Sequence, residues 1–150
     1  MRVYTNDGVV IAKVMKDHLN SWNKKPVDIR LDDLETFAPS MMLQQLSAAE
    51  KKKSYVNGSY IGIWNFAVYM RVSCDDTASR LDAIACLTEL AEWLTEIDEK
   101  GVFKRLPEID EKRTATSIAL TATPSVAARY ENGTEDYQML MSLEYFTRRS

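Results

Sequence analysis

The residues of this chain that could do chemistry are a few carboxylates and one histidine. Asp75 and Asp76 are adjacent, and Glu108, Asp110 and Glu111 follow later in the chain. Divalent cations prefer carboxylate oxygens as ligands, so these residues could form the metal site of a small metal-dependent enzyme. Two aspartates between a strand and a helix are also what a helix cap requires, and we favour that interpretation.

A single histidine limits the other kinds of catalytic site. His18 is the only histidine in the sequence, so a Ser-His-Asp triad or a histidine-containing metal site would have to use it. It falls on the apolar stripe of a predicted helix, a position that already accounts for it. The five glycines form neither GxGxxG nor GxxxxGK, the loops that hold nucleotide phosphates. We therefore predict no catalytic, metal-binding or cofactor-binding residue.

Length, charge and cysteine content narrow the class of protein further. The 150 residues are most simply one domain, 1–150, large enough to bury a core. A formal net charge of −3 disfavours general binding to nucleic acid, because few counterions would be released. The first residues lack the pattern of a signal peptide, and no segment approaches the roughly 18 apolar residues of a membrane span. We expect no membrane association, and reduced thiols at Cys74 and Cys86.

Apolar periodicity predicts two helices and several strands. The helices cover residues 7–22, with Asp7 as a cap, and residues 77–99, with Gly101 just past the end. The longest strand pattern is Tyr60–Ser73. Shorter alternating segments predict further strands: VDIRLDDL, SMMLQQLS, TATSIALTATP and EDYQMLMSLEYF.

The two faces of the longest predicted strand differ in composition. Trp64, Phe66, Val68, Met70 and Val72 share one face, which has the composition of a core. The opposite face is mixed, so we expect another chain segment or another subunit to cover part of it. Strands that follow one another through hairpins favour an antiparallel sheet with helices on one face. The predicted fold is α+β: a single domain with a mainly antiparallel sheet of about four to five strands and a projecting hairpin, flanked by an N-terminal helix and a long central helix.

Residues 50–63 predict a hairpin whose two arms differ. One arm is rich in lysine and the other is apolar and aromatic, and a tight Asn57-Gly58 turn joins them. A two-residue turn would place Lys53 opposite Gly62 and Lys51 opposite Trp64, and residues 47–63 would then project from the sheet. The candidate partner-contacting residues on this hairpin are Lys51, Lys52, Lys53, Tyr55, Asn57, Tyr60, Ile61 and Ile63. A solvated, charged sheet edge explains the lysines equally well, and the sequence leaves both interpretations open.

Most of the chain, residues 38–146, resembles the minor capsid or tail terminator proteins of long-tailed phages and prophages of Gram-positive bacteria. The shared elements are PSMMLQQLS, the Y-NGSY hairpin with its aromatic strand, RLDAI followed by L-ELAEWL, and TPSVAARYENGTEDYQMLMSLEYF. The last of these contains Pro124, the Asn132-Gly133 turn, Glu135-Asp136-Tyr137 and Gln138, in the order typical of the family. The order and spacing of these motifs together carry the resemblance.

The resemblance implies a structural virion protein without catalytic activity. Such proteins form a ring, typically of six subunits, on the last ring of the tail-tube protein; they end tube growth and provide the surface that joins the head. The implied partners are other copies of the chain, the tail-tube protein and the head-tail connector proteins. The implied location is the head-proximal end of the virion tail, with assembly in the host cytoplasm.

Six subunits at −3 each would carry −18, so DNA would pass through the channel without specific binding. A closed ring of head-to-tail contacts also has two unlike faces, which capping a tube requires.

The sequence leaves three other functions open. A head-completion or adaptor protein of the neck would lie one ring nearer the capsid. A small metal-dependent enzyme would use Asp75, Asp76 and Asp110, and metal would raise its melting temperature. A generic cytosolic binding module would be monomeric at all concentrations.

Overall fold

A computed structural model of the chain describes residues 2–36, 38–73 and 77–148. The described part contains one six-stranded sheet and two helices. In chain order the elements are α1 (Asp7–Asn20), β1 (Ile29–Leu31), β2 (Ser40–Gln45), β3 (Glu50–Ser54), β4 (Tyr60–Ser73), α2 (Thr77–Thr95), β5 (Arg113–Arg129) and β6 (Thr134–Thr147).

The strands run across the sheet in the order β1-β2-β4-β6-β5, and β3 pairs with β4 beyond the end of β2. The β1–β2 pair is parallel, and the other pairs are antiparallel. β4 and β6 pair along their whole length, from Tyr60 opposite Thr147 to Ser73 opposite Thr134. One edge of the sheet is therefore β5, and the other edge consists of β1 and β3.

Both helices bury an apolar stripe against the same face of the sheet. Helix α1 contributes Ile11, Met15 and Leu19 at a spacing of four residues, and all three are fully buried. Helix α2 contributes Leu87, Leu90 and Leu94, which are also fully buried. Their partners in the core are Trp64, Phe66, Val68, Met139, Met141, Leu143 and Tyr145. The predicted core face of β4 is confirmed as far as Met70, and Val72 is partly buried.

We call the opposite side of the sheet the open face. It carries the intervening side chains of β4 and β6. The half-exposed residues along the middle of this face are Ile61, Ile63, Asn65 and Tyr69, and Gln138, Leu140, Ser142, Glu144 and Phe146. The open face is less apolar than the core face, in agreement with its mixed composition.

The predicted fold class is wrong. The structure is mainly a six-stranded sheet with two helices in its described part, and it does not have the predicted arrangement of four to five strands flanked by a long central helix. More residues lie in strands than predicted, because β5 and β6 are 17 and 14 residues long. The sheet is also mixed, since β1 joins it in parallel to β2.

The projecting hairpin, which was part of that prediction, is wrong as well. β6 pairs with β4 from Tyr60 onward, so the apolar arm lies inside the sheet. Only the turn between Ser54 and Tyr60 extends past the paired strands. The apolar arm pairs with β6 because this pairing removes its apolar side chains from water. In a projecting hairpin the same side chains would stay exposed.

The register of the hairpin differs from the predicted one. The Tyr55 N–H donates to the Ser59 carbonyl oxygen (2.8 Å), so the turn is longer than two residues. The register then shifts again between Lys51 and Lys53, and Lys51 pairs with Gly62. A bulge of this kind inserts one unpaired residue and locally bends the strand, and turn type alone does not predict it.

Candidate functional site

The eight residues predicted to contact partners do not form one surface. Lys51, Lys52 and Lys53 lie on β3, Tyr55 and Asn57 lie in the turn, and Tyr60, Ile61 and Ile63 lie in β4. The structure brings the lysines and the turn together at one end of a sheet edge, and it places the three β4 residues within the paired part of the sheet.

Two of the lysines lie against aromatic rings. Lys51 Nζ is 4.6 Å from the centre of the Tyr60 ring, and Lys53 Nζ is 5.3 Å from the centre of the Tyr55 ring. Such cation–π contacts at exposed sites contribute about 0.5–1 kcal/mol each. Neither lysine has a carboxylate partner among the described residues, so both charges are open to a partner.

The turn presents apolar surface to solvent. Val56 is fully exposed and Tyr55 is 41% exposed, and the Tyr55 ring meets Phe146 edge-on at 6.3 Å between ring centres. Asn57 Oδ1 accepts a hydrogen bond from the Ser59 N–H (3.0 Å), which rigidifies the turn. An exposed valine on a turn held by hydrogen bonds is suited to contact another surface.

The three β4 residues have structural partners. The Tyr60 hydroxyl donates to the Asp7 carboxylate. Ile61 and Ile63 are half-exposed on the open face, opposite Phe146 and Glu144 of β6. They belong to the sheet surface rather than to a finger.

The most enclosed polar cluster, around Asp7, was not predicted. Asp7 begins α1, but its side chain does not cap the helix; it is 3% exposed and binds residues of three strands. Arg113 of β5 places Nε and Nη2 at 2.8 and 2.7 Å from Asp7 Oδ1. The Tyr145 hydroxyl of β6 donates to Oδ2 (2.7 Å), as does that of Tyr60 of β4. The cluster fixes the start of α1 to the sheet.

Its charge state follows from these contacts. Burial raises the pKa of Asp7, but the hydrogen bonds from Tyr60, Tyr145 and Arg113 more than offset it, so the pKa lies below its ordinary value. Burial and the hydrogen bond to Asp7 raise the pKa of Tyr145 far above its ordinary value. At neutral pH the carboxylate is therefore charged and the phenol protonated. Each donor already has its acceptor, so the cluster is structural.

One sequence signal pointed to this cluster. Gly62 interrupts an apolar strand, and a glycine within a strand often marks a close approach by another group. A methyl group at this position would lie 2.3 Å from Cζ of Tyr145. The identity of the approaching ring and its partner Asp7 could not be read from the sequence, since Asp7 and Tyr145 are 138 positions apart.

The edge strand β5 is the other feature that the sequence analysis missed. It is 17 residues long, and no described strand pairs with its outer side. Residues 114–128 carry no charge, and most of them are exposed. Natural sheets usually protect such an edge with charged side chains.

Of the carboxylates considered for a metal site, Glu108, Asp110 and Glu111 are described, and they form no metal-binding group among the described residues. Asp110 accepts hydrogen bonds from the backbone N–H groups of Lys112 and Arg113, and its other oxygen lies 2.6 Å from the Arg113 guanidinium. Asp75 and Asp76, with their predicted capping role, lie outside the described residues, as does Cys74. In residues 2–36, 38–73 and 77–148 no group of three His, Cys, Asp or Glu side chains is placed to hold a metal ion.

His18 lies between the two helices. Its ring is 5.3 Å from that of Trp93, and its Nε2 is buried with no hydrogen-bond partner among the described residues. Burial lowers its pKa, and the charge of Arg105 lowers it further. The folded state therefore favours the neutral imidazole.

Replacing His18 by phenylalanine should make the melting temperature less dependent on pH below about pH 6.5. The unfolded chain takes up a proton near the ordinary histidine pKa of about 6.5 and the folded chain only at lower pH, so the His18 protein should lose stability as pH falls below that value. Thermal unfolding of both proteins between pH 5 and 8 measures the effect. Melting curves that shift in parallel over this range would contradict it.

In the part of the chain that the structure describes, no helix is both long and apolar enough to cross a membrane. Comparison with known proteins does not assign a family: no family model matches the chain, and no curated protein matches it either.

Proposed function

We propose that this protein is a structural component of a phage virion that assembles into a closed ring on the tail tube. The ring ends tube growth and provides the surface on which the head is joined. Its partners are other copies of the chain, the tail-tube protein and the head-tail connector proteins, and its place is the head-proximal end of the tail. The resemblance of residues 38–146 supports the assignment to a phage tail, and the β5 edge supports self-assembly.

The observation that carries self-assembly is the uncharged, unpaired edge of β5. Fifteen consecutive residues, 114–128, have no charge, and no strand among the described residues pairs with the outer side of β5. An edge of this kind lacks the charges that discourage pairing, so it is prone to pair with another chain. A second copy of the protein covers it without requiring any other component.

The irregularities of β5 favour a closed ring over an open-ended polymer. Its ladder with β6 shifts register at four places, and Pro124 removes one backbone donor. Bulges and proline restrict how many hydrogen bonds an added strand can form, and they disfavour unlimited edge-to-edge growth. A ring satisfies both conditions because it covers the edge and leaves no free end.

Replacing Ala119 by lysine should weaken self-association. Ala119 is exposed in the middle of β5, and covering it with a partner would bury an unpaired charge. We expect the apparent dissociation constant to rise by about tenfold or more, on the scale of about 1.4 kcal/mol or more for such burial. Sedimentation velocity over a concentration series measures it.

The matched control is Ala85→Lys, which makes the same change at an exposed position of α2. This variant should associate like the natural protein and keep its melting temperature within about 2 °C. Equal weakening by both substitutions would show that β5 has no special role in assembly.

The capping function is tested with the tail-tube protein encoded in the same genome. Tubes assembled in the presence of the chain should be shorter and should carry one ring at one end in negative-stain electron micrographs. A label on the chain that appears one ring nearer the capsid would instead identify a neck adaptor. Unchanged tube lengths and a chain that stays monomeric at all concentrations would refute the proposal.

A further inference from the structure

We propose that the lysine-bearing hairpin of one subunit binds the acidic segment that precedes β5 in the next subunit. This inference rests on the proposed ring and names the contact that closes it. We call Glu108, Asp110 and Glu111 the acidic rim; it lies directly before β5 begins at Arg113. The hairpin side of the contact is Lys51, Lys53 and the turn 55–59.

The strand directions allow this pairing. β3 and β6 are each antiparallel to β4, and β5 is antiparallel to β6, so β5 and β3 run in opposite directions. A rotation axis that lies roughly along the strands preserves their direction. The β5 edge of one subunit therefore meets the β3 edge of the next in antiparallel orientation, the more stable and more common arrangement.

The two surfaces also lie at the same end of the sheet. Arg113 at the start of β5 pairs with Thr147, Thr147 pairs with Tyr60, and Tyr60 pairs with Ser54 at the end of β3. The acidic rim and the hairpin turn are thus level along the strands, on opposite edges. Rotation about the ring axis does not change a residue's height along that axis, so the two surfaces face each other across a subunit boundary.

The charges on the two surfaces are complementary and largely unused. The Lys51 and Lys53 ammonium groups lie over aromatic rings and have no carboxylate partner among the described residues, and Lys52 already pairs with Glu144 on its own subunit. On the rim, Glu108 and Glu111 are exposed and have no ion-pair partner among the described residues. Asp110 differs, because its carboxylate is already bound to Arg113. Two open cations thus correspond to two open anions.

The same charges cannot pair within one subunit. β3 and β5 are separated by β4 and β6, which amounts to about 14 Å at the usual strand spacing of about 4.8 Å. A contact between two unlike patches on opposite edges is heterologous and closes into a ring when the rotation allows it.

Part of the β3 backbone is open to such a neighbour. The N-terminal segment bonds to the outer side of this edge at two points, Thr5 N–H to Ala49 O and Lys51 N–H to Val3 O, each 2.8 Å. No described segment pairs with the outer side of β3 beyond Lys51. The remaining residues of β3 and the turn can therefore contact the next subunit.

Charge reversal tests the contact directly. The hairpin variant is Lys51→Glu/Lys53→Glu, and the rim variant is Glu108→Lys/Glu111→Lys. In a ring of identical subunits, either variant places like charges on both sides of every contact. We expect each alone to associate on the order of 10- to 100-fold more weakly than the natural protein. Sedimentation velocity at low and high salt measures this loss.

The two variants should restore each other. When the two variants are mixed in equal amounts, they can alternate around the ring. The glutamate hairpin of one variant then meets the lysine rim of the other, and the lysine hairpin of the second meets the glutamate rim of the first. Every contact is again complementary, so the mixture should associate nearly as well as the natural protein, and a single chain carrying all four substitutions should do the same. No other pair of surfaces predicts this reciprocal rescue.

The control changes the same charge elsewhere: Lys13→Glu/Lys24→Glu, two exposed lysines without described ion pairs, should not weaken association. If the natural protein assembles and the two variants neither weaken it nor rescue each other, the hairpin–rim contact is refuted while the ring stands. If the natural protein forms no assembly with or without the tail-tube protein, the proposed function itself fails.

Discussion

Replacing Asp7 by alanine should lower the free energy of unfolding by about 3 kcal/mol, the lower part of the range for removing one partner of a buried ion pair. The substitution leaves the Arg113 guanidinium, 15% exposed, with Asp110 as its remaining partner. It also leaves the Tyr60 and Tyr145 hydroxyls without the acceptor they share. For a chain of this length such a loss lowers Tm by about 6–12 °C, measurable by calorimetry or circular dichroism.

The matched control for this prediction is Asp17→Ala, which removes an exposed aspartate from the same helix. Its effect should stay within about 0.5 kcal/mol. Equal losses for the two substitutions would mean that the buried cluster adds nothing beyond an ordinary surface charge.

The pH dependence of the same cluster has a defined sign. The pKa of Asp7 is lower in the folded state than its ordinary value, so its stabilising contribution is complete above about pH 4 and is lost as pH falls further. The stability difference between the natural protein and Asp7→Asn should therefore narrow as pH falls from about 4 toward 2. Urea unfolding at pH 7, 4 and 3 measures it. A difference that is constant with pH would show that the carboxylate charge is not what stabilises the cluster.

Replacing Gly62 by alanine should destabilise the fold by about 2–3 kcal/mol, the upper range for overpacking a core. The added methyl group would lie 2.3 Å from Cζ and 2.5 Å from the hydroxyl oxygen of Tyr145. Tyr145 is fully buried and its hydroxyl is bound to Asp7, so the ring cannot move aside without breaking that hydrogen bond. Chemical denaturation with a fitted midpoint and slope measures the loss.

A second substitution separates this clash from a general effect on strand stability. In Gly62→Ala/Tyr145→Leu the ring is absent, and the double variant should be more stable than the sum of the two single effects predicts, by about 1–2 kcal/mol. Strict additivity would show that the ring and the glycine do not interact.

Gly62→Ala also bears on the proposed assembly, because Gly62 pairs with Lys51 on the hairpin. Its association should therefore be measured at temperatures well below its own melting transition.

Local patterns in the sequence were sufficient for the core face of β4 and for the existence of both helices. The alternation of Trp64, Phe66 and Val68 predicted a buried face, and all three are fully buried. The helix at residues 7–22 corresponds to Asp7–Asn20, and the one at 77–99 corresponds to Thr77–Thr95. The second ends early because Ile97 forms a bridge with Phe103 and the Asp98 carboxylate binds the backbone that follows.

The order of strands, the hairpin register and the sheet edges could not be derived in the same way. They depend on pairings between distant segments, such as β4 with β6, whose free energy is not a property of either segment alone. A turn longer than two residues and a bulge at Lys52 together moved the hairpin register. The predicted fold class and its projecting finger failed for this reason.

The sequence by itself determined which side chains are apolar enough to be buried, where helices begin, and that lysines gather beside an Asn-Gly turn. Only the tertiary structure decided that Asp7 would meet Arg113 and Tyr145, that β5 would lie at an edge, and that the lysines and the acidic rim would lie level on opposite edges. Apolar periodicity is a pattern of residues close in sequence, so it can be read from the sequence. Buried charge pairs and sheet edges depend on segments about a hundred positions apart that come into contact only on folding.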